Sequence, residues 1–225
     1  KLADVGAELV AVDANPVDAI WPDRPAPSPA PVFLQPEALT GRSSAEKRGA
    51  IGEWLRARGA DAVVIGALDS VAWVLNIRGS DVARTPVALS FLIVNADGTA
   101  DWFIAPGKVG PKIAAALGNA VRIRAVDSFT ASFAELAGRR VAVDPAGCVS
   151  AIFSRLEEVG AAIVEATDPA LLPKAIKTIA EQAGHRAAQA RDGAAMARFL
   201  HWLAVEAPQG RVDELTAADR LEAFR

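Results

Sequence analysis

Between residues 61 and 166 short apolar runs keep recurring: "DAVVIG", "VALSFLIVN", "ADWFIA", "VRIRAV", "RRVAVD" and "AAIVEA". Amphipathic stretches separate most of them. These are "PKIAAALG", stopped by Gly118, then "SFTASFAELAG" and "VSAIFSRLEEVG". Ahead of the first run, residues 44 to 58 set Ala50, Ile51, Trp54 and Leu55 at helical spacing, with a serine at the start and Gly59 at the stop. Short apolar strands alternating with helices predict a layered α/β domain. The "ADGT" between the second and third runs is an Asp-Gly turn, which predicts a hairpin. A hairpin makes the sheet mixed rather than wholly parallel. The predicted fold class is therefore α/β, a mixed β-sheet flanked by helices.

The flanks read differently. Residues 8 to 12, "ELVAV", have the look of a short strand, and Asn15-Pro16 can open a helical turn. From Pro22 to Pro31 the prolines are too dense for a helix or a central strand, which predicts a stiff extended linker at a domain boundary. A long loop inside one domain is the alternative. Trp21 is expected to pack this linker against a domain. From Asp168 the strand signal disappears. Ile176, Ile179, Ala183, Ala187, Ala190, Ala194 and Ala197 step by three and four, which predicts one long amphipathic helix with an alanine-rich buried stripe, closed by Pro208 and Gly210. Asp213 is placed to cap a further helix, "ELTAADRLEAFR". The first residues, "KLADVGAELVAVDANP", carry acids within their hydrophobic part, unlike a signal peptide, and read as mid-domain sequence. The last helix likewise runs into Arg225 as if interrupted.

The stretch "LDSVAWVLNIRGSD", Leu68 to Asp81, begins as a buried helix over 69–76 and ends as a polar corner. Gly79 is expected to allow a turn with positive φ, and Asp81 to close it by accepting backbone N–H bonds. Arg78 is expected to be held by a carboxylate or by backbone carbonyls. A place for Arg78 and Asp81 on the rim of a substrate site stays open, because a guanidinium can meet a carboxylate bidentately.

No complete active site is visible. The two histidines, His185 and His201, lie on one predicted helix, roughly 24 Å apart at 1.5 Å per residue, so they cannot share a metal. There is no GxSxG elbow, no GxxxxGK loop and no GxGxxG after a strand. Asp144 and Asp168 sit where aspartate caps element ends. Arg122 and Arg124 alternate along one strand and read as a solvated face. The single cysteine, Cys148, excludes an intrachain disulfide, fits a cytoplasmic setting and reads as a small residue at a helix start. Net charge is −3, which argues against a general grip on nucleic acid, although a local basic patch stays compatible with it. No apolar run reaches the length of a membrane span.

Four longer motifs carry a resemblance. "NPVDAIWPDRP", "LDSVAWVLNIRGSDVARTPVALSFLIV", "KAIKTIAEQAGHRAAQARDGAAMARFLHWL" and "ELTAADRLEAFR" occur in an order that resembles Xaa-Pro aminopeptidase (aminopeptidase P) in its three-domain form, a creatinase/prolidase-like metallopeptidase family. The resemblance runs over almost the whole chain. It implies that residues 1–30 are the end of a first creatinase-like domain plus its linker, that 31–168 are a second such domain, and that 169–225 open a "pita-bread" catalytic domain. It implies removal of an amino-terminal residue preceding proline, by a cytoplasmic homodimer that acts on peptides with proline at the second position. It also implies two divalent metal ions, manganese, held by two Asp, one His and two Glu that lie beyond "LEAFR", so this segment is expected to bind none and to be inactive alone. Thr178, where the family often has asparagine, and His185, where relatives often carry an apolar residue, depart from the pattern at non-catalytic positions. The alternative is a peptidase-like protein-binding module that kept the fold and lost the metals; the sequence after Arg225 discriminates.

Overall fold

The computed structural model describes residues 2–8, 10, 12 and 14–225. The elements run in the order α1 (Pro16–Ile20), β1 (Phe33–Leu34), α2 (Glu37–Thr40), α3 (Ser44–Arg56), β2 (Ala62–Ile65), α4 (Leu68–Leu75) and β3 (Ile77–Arg78). Then come β4 (Ser90–Asn95), β5 (Ala100–Ile104), α5 (Pro111–Leu117), β6 (Val121–Ala125), β7 (Arg140–Val143), α6 (Ser150–Glu158) and β8 (Ala162–Glu165). The last helices are α7 (Leu171–Ala175), α8 (Ile179–Glu206) and α9 (Glu214–Phe224).

Six strands form one sheet in the order β6-β5-β4-β2-β7-β8. β4 runs antiparallel to both β2 and β5, while β5–β6, β2–β7 and β7–β8 are parallel. The mixed sheet is thus the one the Asp-Gly turn predicts. Gly98 sits in that turn at φ 83°, and Asp97 accepts from the Thr99 N–H. Because side chains alternate across a strand, the central strands feed two cores. Val63, Ile65, Leu92, Val94, Trp102 and Ile104 face one side, where Ile51 and Leu55 of α3, Val74 of α4 and Ile113 of α5 cover them. Val64, Ile93, Phe103, Val141 and Val143 face the other, under Phe129, Phe133 and Ile152. The result is a sheet between two helical layers, as the alternating sequence pattern requires.

Several local expectations need correction. Residues 126–128 and 131–136 form 3-10 turns, not an α-helix; Ser128 and Ser132 bond back to the carbonyls of Ala125 and Phe129, as short hydroxyl side chains do when they compete with helical bonding. The helix expected from Asp168 onward is broken at 176–178. Thr178 accepts from the Glu181 N–H while Glu181 accepts from the Thr178 N–H, a capping box that starts α8 afresh. The alanine stripe of α8 is exposed, and among the described residues of that helix only Ala195 is fully buried. Its packed face instead uses Phe199 and Trp202, with Arg220 of α9 lying 5.8 Å from the Trp202 ring. Trp21 is exposed and faces Arg24 rather than a core. The strand expected over 8–12 falls partly on residues outside the described set; Val10 and Val12 are exposed and in no strand. Asn15 caps α1 and Asp213 caps α9 as expected.

Candidate functional site

The polar corner after α4 is built by an asparagine. Asn76 closes α4 in the left-handed region at φ 52°, a conformation that Asn tolerates better than most residues. Its amide donates to the Arg42 carbonyl (2.8 Å), and its Oδ1 accepts from Lys47 Nζ (2.6 Å). Lys47 comes from α3, is 1 % exposed, and also donates to the Trp73 carbonyl (2.9 Å) with its ammonium 4.3 Å from the Trp73 ring centre. A buried ammonium is thus held by two oxygens and a π-face, with no carboxylate in contact among the described residues.

Burial holds the Lys47 ammonium down at about 8 from the usual 10.5, and Glu181 pulls the other way. Below pH 8 both folded and unfolded chains carry this proton, so the cost of burying it is fully present. Between about pH 8 and 10.5 the unfolded chain still binds a proton that the folded chain has released, so stability rises with pH in this window. The urea midpoint of the wild type is therefore expected to gain on that of Lys47→Met as pH rises from 8 to 10. A constant difference between the two would show that Lys47 titrates normally.

Past Asn76 the chain enters β3, which pairs antiparallel with β1 (Phe33 opposite Arg78). Arg78 donates through Nη1 to the carbonyls of Ile77 (2.8 Å) and Ala72 (3.2 Å). Backbone carbonyls thus hold it, as one of the two expected arrangements has it, and among the described residues no carboxylate bonds to it. Asp81 accepts from the Leu89 N–H (2.8 Å) and pairs with Lys108; their side chains are 2 % and 5 % exposed. Gly79 differs from expectation. Its φ is not positive, but a Cβ there would lie 2.8 Å from the Ala88 Cβ and 2.9 Å from the Val87 carbonyl oxygen. Glycine is needed for close approach rather than for a left-handed turn.

Arg78 lines a cleft of about 730 Å³ between this corner and the α7–α8 segment. α4 contributes Asp69 and Trp73, α7 contributes Lys174, and α8 contributes Glu181, His185 and Arg191. Lys174 pairs with Asp69 and, at 3.3 Å, reaches Ser70 Oγ. Thr178 Oγ1 donates to the Thr40 carbonyl (3.1 Å), so α8 is moored to α2 at the cleft wall. Of the two sequence-predicted rim residues, Arg78 is on this wall. Asp81 is committed to Lys108 and does not line the cleft. Lys47, Lys174 and Arg191 were not singled out from sequence. Residues 181, 184, 185, 188 and 191 recur at helical spacing, which is a readable stripe; Lys47 shows no such signal.

The other candidates resolve into structural roles. Arg122 forks Asp101 (Nε–Oδ1 2.5 Å, Nη2–Oδ2 2.8 Å) and also reaches Glu135, which takes Arg124 on its other oxygen (2.7 Å). The two arginines therefore tie β6 to the 131–136 turn. Asp144 accepts from the Ala146 and Asp168 N–H groups, and Asp168 from that of Ala170. Cys148 is half-buried, and burial pushes its thiol up, away from the thiolate a nucleophile needs. Both histidines are exposed on α8. Among the described residues no three His, Cys, Asp or Glu side chains group to hold a metal ion, and no helix is long and apolar enough to cross a membrane.

Comparison with known proteins places this geometry. The chain is 31 % identical to an X-prolyl aminopeptidase from Caenorhabditis elegans, described as a cytosolic enzyme with a di-nuclear active site; the match covers 100 % of this chain and 37 % of that one, with a TM-score of 0.85. It is 35 % identical over 136 residues to the Aspergillus niger protein named "Probable Xaa-Pro aminopeptidase P", which covers 60 % of this chain and 22 % of the relative. The fold is shared with an Xaa-Pro dipeptidase from Bacillus anthracis, at 16 % identity and a TM-score of 0.59 over 81 % of this chain and 48 % of that one. The chain thus spans well under half the length of these aminopeptidases. The model of the Creatinase/Prolidase N-terminal domain matches residues 23–181, more than half of the sequence, and the chain belongs to that family.

Proposed function

We propose that this chain is the non-catalytic part of an Xaa-Pro aminopeptidase, which removes an amino-terminal residue preceding proline by hydrolysis assisted by two divalent ions, manganese. The observation that carries the reading is the match over 100 % of the chain to the nematode enzyme. In this reading residues 1–30 end a first creatinase-like domain with its linker, 31–168 form the second, and 169–225 open the catalytic domain. The protein is a cytoplasmic homodimer whose substrates are peptides with proline second. The single cysteine and the cytosolic nematode relative support that setting.

The donor set of this chain does not fit a di-nuclear centre. Its histidines are about 24 Å apart on one helix, and among the described residues no three His, Cys, Asp or Glu side chains group to hold an ion. No step of the hydrolysis is assigned to it; in the proposal the ions sit on other residues of a longer polypeptide. What this chain supplies is a rigid α/β body and the moored start of α8, which fix one wall against the peptide's approach.

The full-length polypeptide that carries this segment is expected to cleave tripeptides with proline second and to spare their alanine counterparts. A chelator should abolish the activity, and Mn²⁺ should restore it. If the folded, Mn²⁺-loaded protein leaves every Xaa-Pro peptide intact, the reading fails and the protein-binding module takes its place.

A further inference from the structure

The chain as a whole is acidic, yet the cleft beside Arg78 presents four cations, Arg78, Lys174, Lys177 and Arg191, against two carboxylates, Asp69 and Glu181. Both carboxylates are engaged. Asp69 is paired with Lys174, and Glu181 closes the α8 capping box. Lys177 donates to the Lys174 carbonyl, and Arg191 has no hydrogen-bond partner among the described residues. Glu181 still acts on Arg78 through its charge, but four cations against two carboxylates leave two positive charges in excess in the cleft.

Arg78 gives that charge a direction. Its Nη1 is fixed by two carbonyls, so the plane of the guanidinium is set. Its Nε and Nη2 have no partner among the described residues. These two atoms form the edge that grips a carboxylate with two parallel bonds. The same chain uses this edge twice elsewhere: Arg122 takes both oxygens of Asp101 with it, and Arg225 both oxygens of Asp192 (2.7 and 3.3 Å). At Arg78 the edge is left open beside a cleft whose volume suits a small ligand. Trp73, Pro86 and Val87 add apolar walls, which a hydrated inorganic anion would not use and a peptide would.

We propose that this cleft is a carboxylate subsite, which takes the C-terminal carboxylate of a short peptide on the Nε/Nη2 edge of Arg78, with Arg191 and Lys177 as flanking charges. The ligand is a peptide because the inference rests on the peptidase reading. The shared chemistry is the carboxylate itself, and an acidic side chain from elsewhere in the longer polypeptide is the other source of one.

The test is equilibrium binding, by calorimetry, to the full-length polypeptide stripped of metal. The ligands are a tripeptide with proline second, as the free acid and as its C-terminal amide. The free acid is expected to bind about tenfold or more tighter, as charge-assisted bonds to one terminus would give. Arg78→Lys keeps the charge but loses the fork, and should erase most of that preference. Arg191→Gln, at an exposed position, should reduce it with the melting temperature unchanged. Equal binding of acid and amide by the wild type overturns the proposal, as does a preference that survives both variants. If an acidic side chain of the protein itself fills the edge, both variants lower the melting temperature and the ratio stays at one, which also overturns it. A metal-loaded protein without peptidase activity whose stripped form still prefers the acid would sink the peptidase reading and leave the subsite standing.

Discussion

Asp81→Ala is expected to destabilise the protein by about 3–5 kcal/mol, the range found when one partner of a buried ion pair is removed. Asp81 and Lys108 are both almost wholly enclosed, so the substitution leaves an ammonium in the core with nothing to balance it. It also orphans the Leu89 N–H, which Asp81 holds at the first strand of the hairpin. Asp81→Asn separates the two effects, because the amide oxygen can still accept from Leu89 while the charge is gone. The double replacement Asp81→Leu with Lys108→Met should recover much of the loss, since apolar groups of similar shape replace both charges. Urea midpoints with unchanged m-values provide the measurement. A loss below about 1 kcal/mol for Asp81→Ala would match an exposed pair and contradict this burial.

Gly79→Val is expected to cost about 1–3 kcal/mol or more, and Gly79→Ala somewhat less. The wall around this Cβ is backbone as well as side chain: the Val87 carbonyl oxygen at 2.9 Å and the Ala88 nitrogen at 3.0 Å cannot rotate aside. Moving them means shifting the stretch just ahead of β4, and with it Pro86 and Val87 on the cleft wall. At this chain length each kcal/mol lowers Tm by about 2–4 °C. Gly193→Ala is the matched control. Nothing lies within 4 Å of its Cβ, and its helical backbone suits alanine, so it should raise stability by about 0.5–1 kcal/mol. If Gly79→Ala behaves like the control, the close approach described here is wrong.

What was readable from sequence was mostly local. Four consecutive residues, Ala62 to Ile65, serve alternate faces of the central strand, and the apolar run alone implies a strand covered on both sides. Asp97-Gly98 fixed the hairpin because turn chemistry acts within a few residues. The break before α8 was also written locally, as the Thr-x-x-Glu of Thr178 to Glu181, but the run of alanines spoke for continuity and hid it. Alanine fits helices whether or not the face is covered, so it reports propensity and not burial. The cleft was legible only in part. Arg78 stood out beside a glycine, whereas Lys47 finds Asn76 across 29 positions and Lys174 finds Asp69 across 105. Contacts of that span depend on how whole elements pack, and no window of sequence holds both partners.

The mooring at Thr178 also has a mechanical side. α8 runs for 28 residues without interruption, about 42 Å at 1.5 Å per residue. Its root is narrow: a Cβ on Gly41 would lie 2.6 Å from Thr178 Oγ1, and the hydroxyl already bonds to the Thr40 carbonyl. Beyond the root the helix is tied to the α/β body through α9 by the exposed Arg84–Glu222 pair (3.1 Å), so a tilt of about 5° at the root would carry the far end through about 4 Å wherever that surface pair gives way. Gly41 is therefore the fulcrum of a lever, and whatever that helix bears at its distant tip inherits its aim from the absence of one methyl group.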